Sequence, residues 1–325
     1  MSDAASLPPT DLPGLDPAWS RLVRVADADG VERGWHLLDN GVDPTNGTLL
    51  CVHGNPTWSY LWRRLLAAAP PGWRVLAPDQ LGMGYSERLS ASRTLSQRVR
   101  DLGLLTEALD VRGPVVTIAH DWGGPVSLGW ASEHRDELRG LVLTNTAVHH
   151  PPGTPAPAML APVRWSPLRA LSCVRTPAFV RAATALSRPP LPRDVRGAFA
   201  APYATATRRR AVGDFVADIP FETSHPSRPM LDSIAASTGS LAVPALLLWG
   251  PRDPVFGQCH LDDLCRRLPH ARLHRYERAS HLVTEDAPEY AEAVGCWLAD
   301  LDAPAQPPPR TAGSAGPSTL GQRLA

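Results

Sequence analysis

Asp121 stands in His120-Asp121-Trp122-Gly123-Gly124, directly after the apolar, β-branched run at 114–119. That order reads as a strand, a sharp bend and a helix. The small residues Ala119 and Gly123 lie two positions to either side of the Asp and allow the bend to be tight. A side chain at the tip of such a bend is held out for attack. A carboxylate there, with a reference pKa of about 3.9, is already ionised at neutral pH and needs no base to make it a nucleophile. It attacks electrophilic carbon directly, and activated water can open the resulting ester at the enzyme's own carboxyl carbon. This favours C–halogen, C–O or strained-ring chemistry over peptide or simple ester hydrolysis.

By itself an Asp at a helix start also serves as an N-cap. Two later segments make the catalytic reading the stronger one. His281, in Ala279-Ser280-His281-Leu282 after a late strand, is the expected general base. Asp253, in Trp249-Gly250-Pro251-Arg252-Asp253-Pro254-Val255-Phe256, is placed to orient the imidazole and stabilise its charged form. The stretch 145–150 holds no carboxylate, so Asp253 has no close rival as the acid. His53-Gly54-Asn55-Pro56 ends an early strand, and the backbone N–H groups of Asn55 and Trp122 are expected to face a developing negative charge. The Asn55 amide and the Trp122 indole are further N–H donors, fit to hold a halide or a carboxylate oxygen. His53, His120, His149 and His150 read as structural or supporting. Gly82-x-Gly84 is a loop pair with no Gly-Lys-Ser/Thr after it, which argues against a phosphate site.

These residues need elements to position them. Runs at 21–25 and 34–38 form an antiparallel pair around the turn 27–30. Further strands are expected at 48–52, 73–77, 115–119, 141–143, 243–249 and 272–276. Helical spacing covers 61–69, 95–109, the stretch from the elbow to about 134, and 287–301. The alternation argues for a mostly parallel sheet with helices on both faces. It breaks over 149–240, which is rich in Pro, Ala and Arg and lacks a convincing strand, with helical pieces at 179–186 and 208–219. That block reads as an inserted helical cap over the site, the alternative being a separate domain. The expected organisation is a loose N-terminal arm (1–18), an α/β core (19–148 and 241–302), the cap (149–240) and a Pro/Gly/Ser-rich linker or tail (303–325).

Composition sets outer bounds. With 325 residues the chain has room for one large core plus a smaller subdomain. Formal net charge is zero with no long basic block, which favours neither nucleic acid nor an anionic membrane surface. No early run resembles a signal peptide, and none approaches the roughly 20 apolar residues of a membrane span. Five scattered cysteines do not make a disulfide framework and fit a reducing cytoplasm. Cys259-His260 and Cys265 lack metal-ligand spacing, so no metal is expected. The chain has no Lys, which excludes Schiff-base lysine chemistry.

His53-Gly54-Asn55-Pro56-Thr57-Trp58-Ser59-Tyr60-Leu61-Trp62-Arg63, Ala77-Pro78-Asp79 with Gly82-Met83-Gly84, the elbow, and the Asp253 and His281 segments together resemble the haloalkane dehalogenase family of α/β-hydrolases. The resemblance spans about 19–301. It implies the α/β-hydrolase fold, whose chain order is nucleophile, acid, His. It makes Asp121 the nucleophile, His281 the base and Asp253 the acid, with Asn55 and Trp122 clamping the leaving group and no cofactor. Within the family, Asp79-Gln80-Leu81-Gly82-Met83-Gly84-Tyr85-Ser86-Glu87-Arg88 and the run from His120 to Trp130 are most similar to the β-lactone decarboxylases of bacterial long-chain olefin biosynthesis. In some actinobacteria that enzyme is fused to the β-lactone synthetase that makes its substrate, and the tail would suit such a junction.

The leading expectation is decarboxylation of a long-chain cis-3,4-dialkyl-2-oxetanone to a cis-alkene, with attack at the carbonyl or at the ring's sp³ carbon. The partners it implies are that lactone and a fused or associated synthetase. The alternative is a haloalkane dehalogenase acting through an alkyl-enzyme ester. An epoxide hydrolase would need two cap tyrosines, and the cap offers only Tyr203. A catalytically idle scaffold role conflicts with the complete nucleophile, acid and base set.

Overall fold

The computed structural model describes residues 4–150, 157–158 and 160–302. The tail expectation for 303–325 therefore lies outside the described residues. The strands are β1 (Ser20–Ala26), β2 (Glu32–Asp39), β3 (Gly47–Val52), β4 (Trp73–Pro78), β5 (Val115–His120), β6 (Leu138–Thr144), β7 (Ala245–Trp249) and β8 (Arg272–Arg275). They form one sheet in the order β1-β2-β4-β3-β5-β6-β7-β8. β1 and β4 each pair antiparallel with β2, and every other pairing is parallel.

Side-chain alternation along the buried strands supplies two cores. Leu49 and Cys51 of β3, Val116 and Ile118 of β5, and Leu246 and Leu248 of β7 pack on one face. Leu50 and Val52, Val115 and Ala119, and Leu247 and Trp249 pack on the other. The helices α1 (Arg63–Ala68), α2 (Leu95–Ala108) and α3 (Gly123–Glu133) flank the first half of the sheet. α2 begins with a capping box in which the Thr94 side chain accepts from the Gln97 N–H and the Gln97 side chain accepts from the Thr94 N–H. Between β6 and β7 lie α4 (Ser166–Arg169), α5 (Ala178–Thr184), α6 (Arg193–Ala200), α7 (Arg210–Ala217) and α8 (Arg228–Thr238), with no strand among the described residues of this block. In α8, Ile234 and Ala235 join the core on the α3 side of the sheet. α9 (Gln258–Arg267), α10 (Val283–Asp286) and α11 (Tyr290–Asp302) complete the chain.

Three elements depart from the sequence reading. The helix expected at 61–69 starts as a 3₁₀ turn, Ser59–Trp62, before α1. The last helix, expected from 287, starts at Tyr290, because Pro288 disfavours helical backbone at Ala287. The N-terminal arm is not loose from residue 4 onward. Ser6 donates its N–H to the Tyr85 carbonyl, the Tyr60 hydroxyl donates to the Pro13 carbonyl at 2.6 Å, and Leu15 is buried in the core. Leu12 and Leu15 of the arm pack on the core and give it surface to bury.

Candidate active site

β5 ends one residue before Asp121, whose φ of 51° puts it in the left-handed region that non-glycine residues seldom adopt. The bend is over-determined. The Asp121 N–H donates to the Asn145 carbonyl at 3.1 Å, and the Asp121 carbonyl accepts from the Gly124 N–H at 2.9 Å and the Thr146 hydroxyl at 2.6 Å. Gly123 is required because α3 starts against β3: a Cβ there would lie 2.1 Å from the Val52 carbonyl oxygen. Gly54 is required for a different reason, since its Cβ would meet the Asp121 carboxylate at 2.2 Å.

The Asp121 carboxylate accepts the Asn55 backbone N–H at 2.7 Å and is also bonded by the Trp122 N–H. The two amides therefore converge on one carboxylate oxygen region, as the turn after β3 and the elbow after β5 meet side by side. Burial raises the pKa of Asp121. The nearby His281 and these two N–H groups work in the opposite direction.

His281 follows β8 and donates its Nδ1–H to Asp253 Oδ2 at 2.9 Å, leaving Nε2 as its other ring nitrogen. Burial alone would lower the His281 pKa, but the charge and hydrogen bond of Asp253, with Asp121 beside it, raise it to about 8. Asp253 is held by three groups: the Val255 N–H at 2.7 Å, His281, and the Asn145 amide at 2.8 Å. Burial would raise its pKa, and the paired imidazole outweighs that and lowers it.

Asn145 was missed as a functional position. In sequence it showed only the absence of a carboxylate. In the fold its Nδ2 reaches Asp253 while its Oδ1 accepts the Gly250 N–H at 2.8 Å, so it locks the loop that carries Asp253. The available signal was a polar side chain at the end of a buried strand.

His120 supports His281 from behind, donating from Nε2 to the His281 carbonyl at 2.8 Å. Burial, reinforced by the neighbouring imidazole, pushes its pKa down to about 3, so it stays neutral. His53 is likewise structural, accepting the Gln80 N–H at Nε2 and donating from Nδ1 to the Gly54 carbonyl. Of the loop glycines, Gly84 makes room for Asp79, whose buried carboxylate takes the N–H groups of Ser59 and Tyr85 and the His36 ring, all at 2.7 Å.

The donors are not equally placed. Asn55 and Trp122 both border the same cavity as Asp121 and His281. Yet Asn55 Nδ2 already donates to the Val212 carbonyl of α7 at 3.1 Å, so its second N–H is the one left for a ligand. Tyr203 is no ligand donor. Its hydroxyl donates to the Thr57 carbonyl at 2.8 Å and accepts the Gly84 N–H at 3.2 Å, inside the packed interface of cap and core.

Above Asp121 the cavity divides. One lobe of about 120 Å³ runs past Pro125, Leu231, Phe221 and Phe256 toward His149, His260 and Arg228. A smaller lobe of about 40 Å³ runs between Phe179, Ala183, Leu186 and Val216. Asp121, Trp122, Leu160, Ile219 and Val255 border both, so the two lobes meet along a wall that includes the carboxylate. His149, His150 and His260 thus line the cavity, a placement the sequence reading did not give them.

The His281–Asp253 pair carries a pH signature. A histidine whose pKa rises on folding stabilises the fold below its unfolded value, near 6.5, and loses that contribution as pH climbs through the folded value. The gap in melting temperature between the wild type and His281→Gln is therefore expected to narrow as pH rises from about 6.5 past about 8. Differential scanning calorimetry at a series of pH values checks it; a gap that widens over that interval refutes the assignment of the raised pKa to His281.

A family model described as the α/β-hydrolase fold matches residues 47–288. The chain is 36% identical over 265 residues to a cis-3-alkyl-4-alkyloxetan-2-one decarboxylase of Xanthomonas campestris pv. campestris, covering 78% of this chain and 87% of the relative. It is 32% identical over 246 residues to a protein of the same name from Shewanella oneidensis, covering 74% and 77%. It is 32% identical over 264 residues to haloalkane dehalogenase 2 of Mycobacterium tuberculosis, covering 80% and 89%. Among solved structures, the haloalkane dehalogenase DatA of Agrobacterium tumefaciens C58 superposes with a TM-score of 0.77 over 87% of this chain and 97% of that one. Its identity is 21%, so that likeness concerns the fold alone.

Proposed function

The chain belongs to the α/β-hydrolase fold family, as a haloalkane dehalogenase-like enzyme, and from that premise we propose that it is a β-lactone decarboxylase. It converts cis-3,4-dialkyl-2-oxetanones to long-chain cis-alkenes and carbon dioxide. The observation that carries this reading is the fork of the cavity at Asp121. A lactone with alkyl arms on two adjacent ring carbons has two arms to place, whereas a 1-haloalkane has one. The names of the two oxetanone-decarboxylase relatives support the same choice.

In this reading Asp121 attacks the ring carbon that bears oxygen, from the face opposite that oxygen. The C–O bond breaks, ring strain is released, and an ester to Asp121 and a free carboxylate form. The carboxylate then leaves as carbon dioxide. The electron pair of its C–C bond becomes the second bond of the alkene, and the bond to Asp121 breaks and returns its pair to the carboxylate. Inversion followed by anti elimination keeps the two arms cis. No water is consumed. The second N–H of Asn55 and the Trp122 indole hold the carboxylate as it forms. His281, kept charged by Asp253, balances the negative charges of Asp121 and of the freed group.

A second reading is dehalogenation, favoured by one feature: Asn55 and Trp122 flank Asp121 in the smaller lobe, where a departing halide would sit. There His281 acts as a base toward water. Esterification removes the Asp121 charge that helps hold the imidazole protonated, which frees His281 for that role. The test is incubation with a synthetic cis-3,4-dialkyl-β-lactone and, separately, with 1-bromoalkanes, following alkene by gas chromatography and bromide release. Alkene from the lactone supports decarboxylation; rapid bromide release without alkene overturns it in favour of the second reading.

A further inference from the structure

A formal net charge of zero conceals a segregation along the chain. Between Glu137 and Asp194 there is no Asp or Glu, and this stretch runs from β6 through α4 and α5 to the start of α6. There the turn Pro162–Arg164, α4 and the π-helical turn Ala170–Arg175 follow one another almost without a break. They carry Trp165, Leu168 and Leu171, which are 63%, 37% and 50% exposed. Leu168 and Leu171 are three apart within this helical run, and Trp165 caps its start in extended backbone. Nothing among the described residues covers them.

Arg164 and Arg175 are exposed at the two ends of this segment, and Arg181 is exposed on α5, which packs against the turn 170–175. Among the described residues, the ion pair these arginines make is that of Arg164 with Glu222, an exposed pair at 3.4 Å that solvent screens. Arg169 is turned inward, donating to the Val163 and Arg164 carbonyls. An exposed Trp with two exposed Leu, in a segment flanked by exposed arginines, has the chemistry of an interface-lying segment. The apolar tips enter the headgroup boundary, and the arginines are drawn to lipid phosphates. The segment also adjoins the site. Leu160, five residues before Trp165, borders both lobes of the cavity, and the walls of that cavity are mostly apolar side chains.

We propose that this cap face docks on an anionic lipid bilayer, with Trp165, Leu168 and Leu171 inserted and Arg164, Arg175 and Arg181 on the headgroup phosphates. The proposal stands whichever reaction the site performs. The test is co-sedimentation of the full chain with vesicles of phosphatidylcholine alone and of phosphatidylcholine mixed with phosphatidylglycerol. Binding to the mixed vesicles is expected to be at least about tenfold tighter, and to weaken as salt is raised. The double variant Trp165→Ser/Leu171→Ser is expected to lose about tenfold or more in affinity, with its melting temperature unchanged because both side chains are exposed. Arg164→Glu/Arg175→Glu is expected to lose the preference for phosphatidylglycerol. The proposal is overturned if the wild type does not sediment with mixed vesicles, or if the double variant sediments as well as the wild type. It is also overturned if ultracentrifugation shows that the segment joins two copies of the chain, as a dimer that Trp165→Ser dissolves, or if an acidic protein partner competes the vesicles away completely.

Discussion

Asp121→Asn is expected to lower alkene formation from a cis-3,4-dialkyl-β-lactone by about 10⁴-fold or more while leaving the fold intact. The loss follows from chemistry. A neutral amide has no charge to bring to the ring carbon, and removal of a nucleophile costs on the order of 10⁴ to 10⁶ in kcat. The fold should survive because the geometry around position 121 suits Asn. Asn tolerates the left-handed backbone seen there, a φ of 51°. Its amide oxygen can still accept the Asn55 N–H that Asp121 Oδ1 accepts at 2.7 Å. Burial already works against the charge of Asp121, so its loss removes a desolvation cost. Gas chromatography of alkene, with circular dichroism and a melting curve on the same sample, checks both halves. Wild-type rates in the variant would remove Asp121 from the mechanism and leave the elbow a structural feature.

His281→Gln separates the two reactions, because they ask different things of the imidazole. In decarboxylation the ring supplies charge and no water is activated. The variant is expected to keep turning over lactone, slowed by about 10²-fold, the typical cost of one electrostatic partner. In dehalogenation the ring must deprotonate water to open the ester. The variant would then release about one bromide per chain and stop, with the alkyl group retained on Asp121 and visible as an added mass on the intact protein. Multiple-turnover bromide release would fall by about 10⁴-fold. The structure gives this contrast its sharpness. His281 is held by Asp253 at 2.9 Å, and Asp253 in turn by Asn145 at 2.8 Å, so the base is fixed in place by two further groups. His120, the nearest imidazole, is buried and donates its Nε2–H to the His281 carbonyl.

The chemistry of Asp121 was legible in the sequence because a nucleophile elbow is a local object. A β-branched run, a carboxylate and two glycines within a few residues are enough to specify strand, bend and helix. The alternation of strands and helices was legible for a related reason: buried strands place successive side chains on opposite faces, and this period shows in any short window. Asp253 and His281 could be read because each follows a strand, and the strand ends of a parallel sheet converge on one edge.

What the tertiary structure decided depends on which distant segments meet. Asn145 became the clamp on Asp253 only when β6 and β7 paired and brought positions more than a hundred residues apart within 2.8 Å. Asn55 lost one of its two amide donors to Val212, a partner the sequence could not name because it lies in the inserted helices. Tyr203 left the site for the same reason, drawn to Thr57 and Gly84. The fork in the cavity arises where α5, α7 and the segment around Leu160 close over the elbow, and no single one of them contains it. Short-range pattern thus set the reactive groups, and long-range packing set the shape they work in, because a cavity is the space left between elements and has no residues of its own.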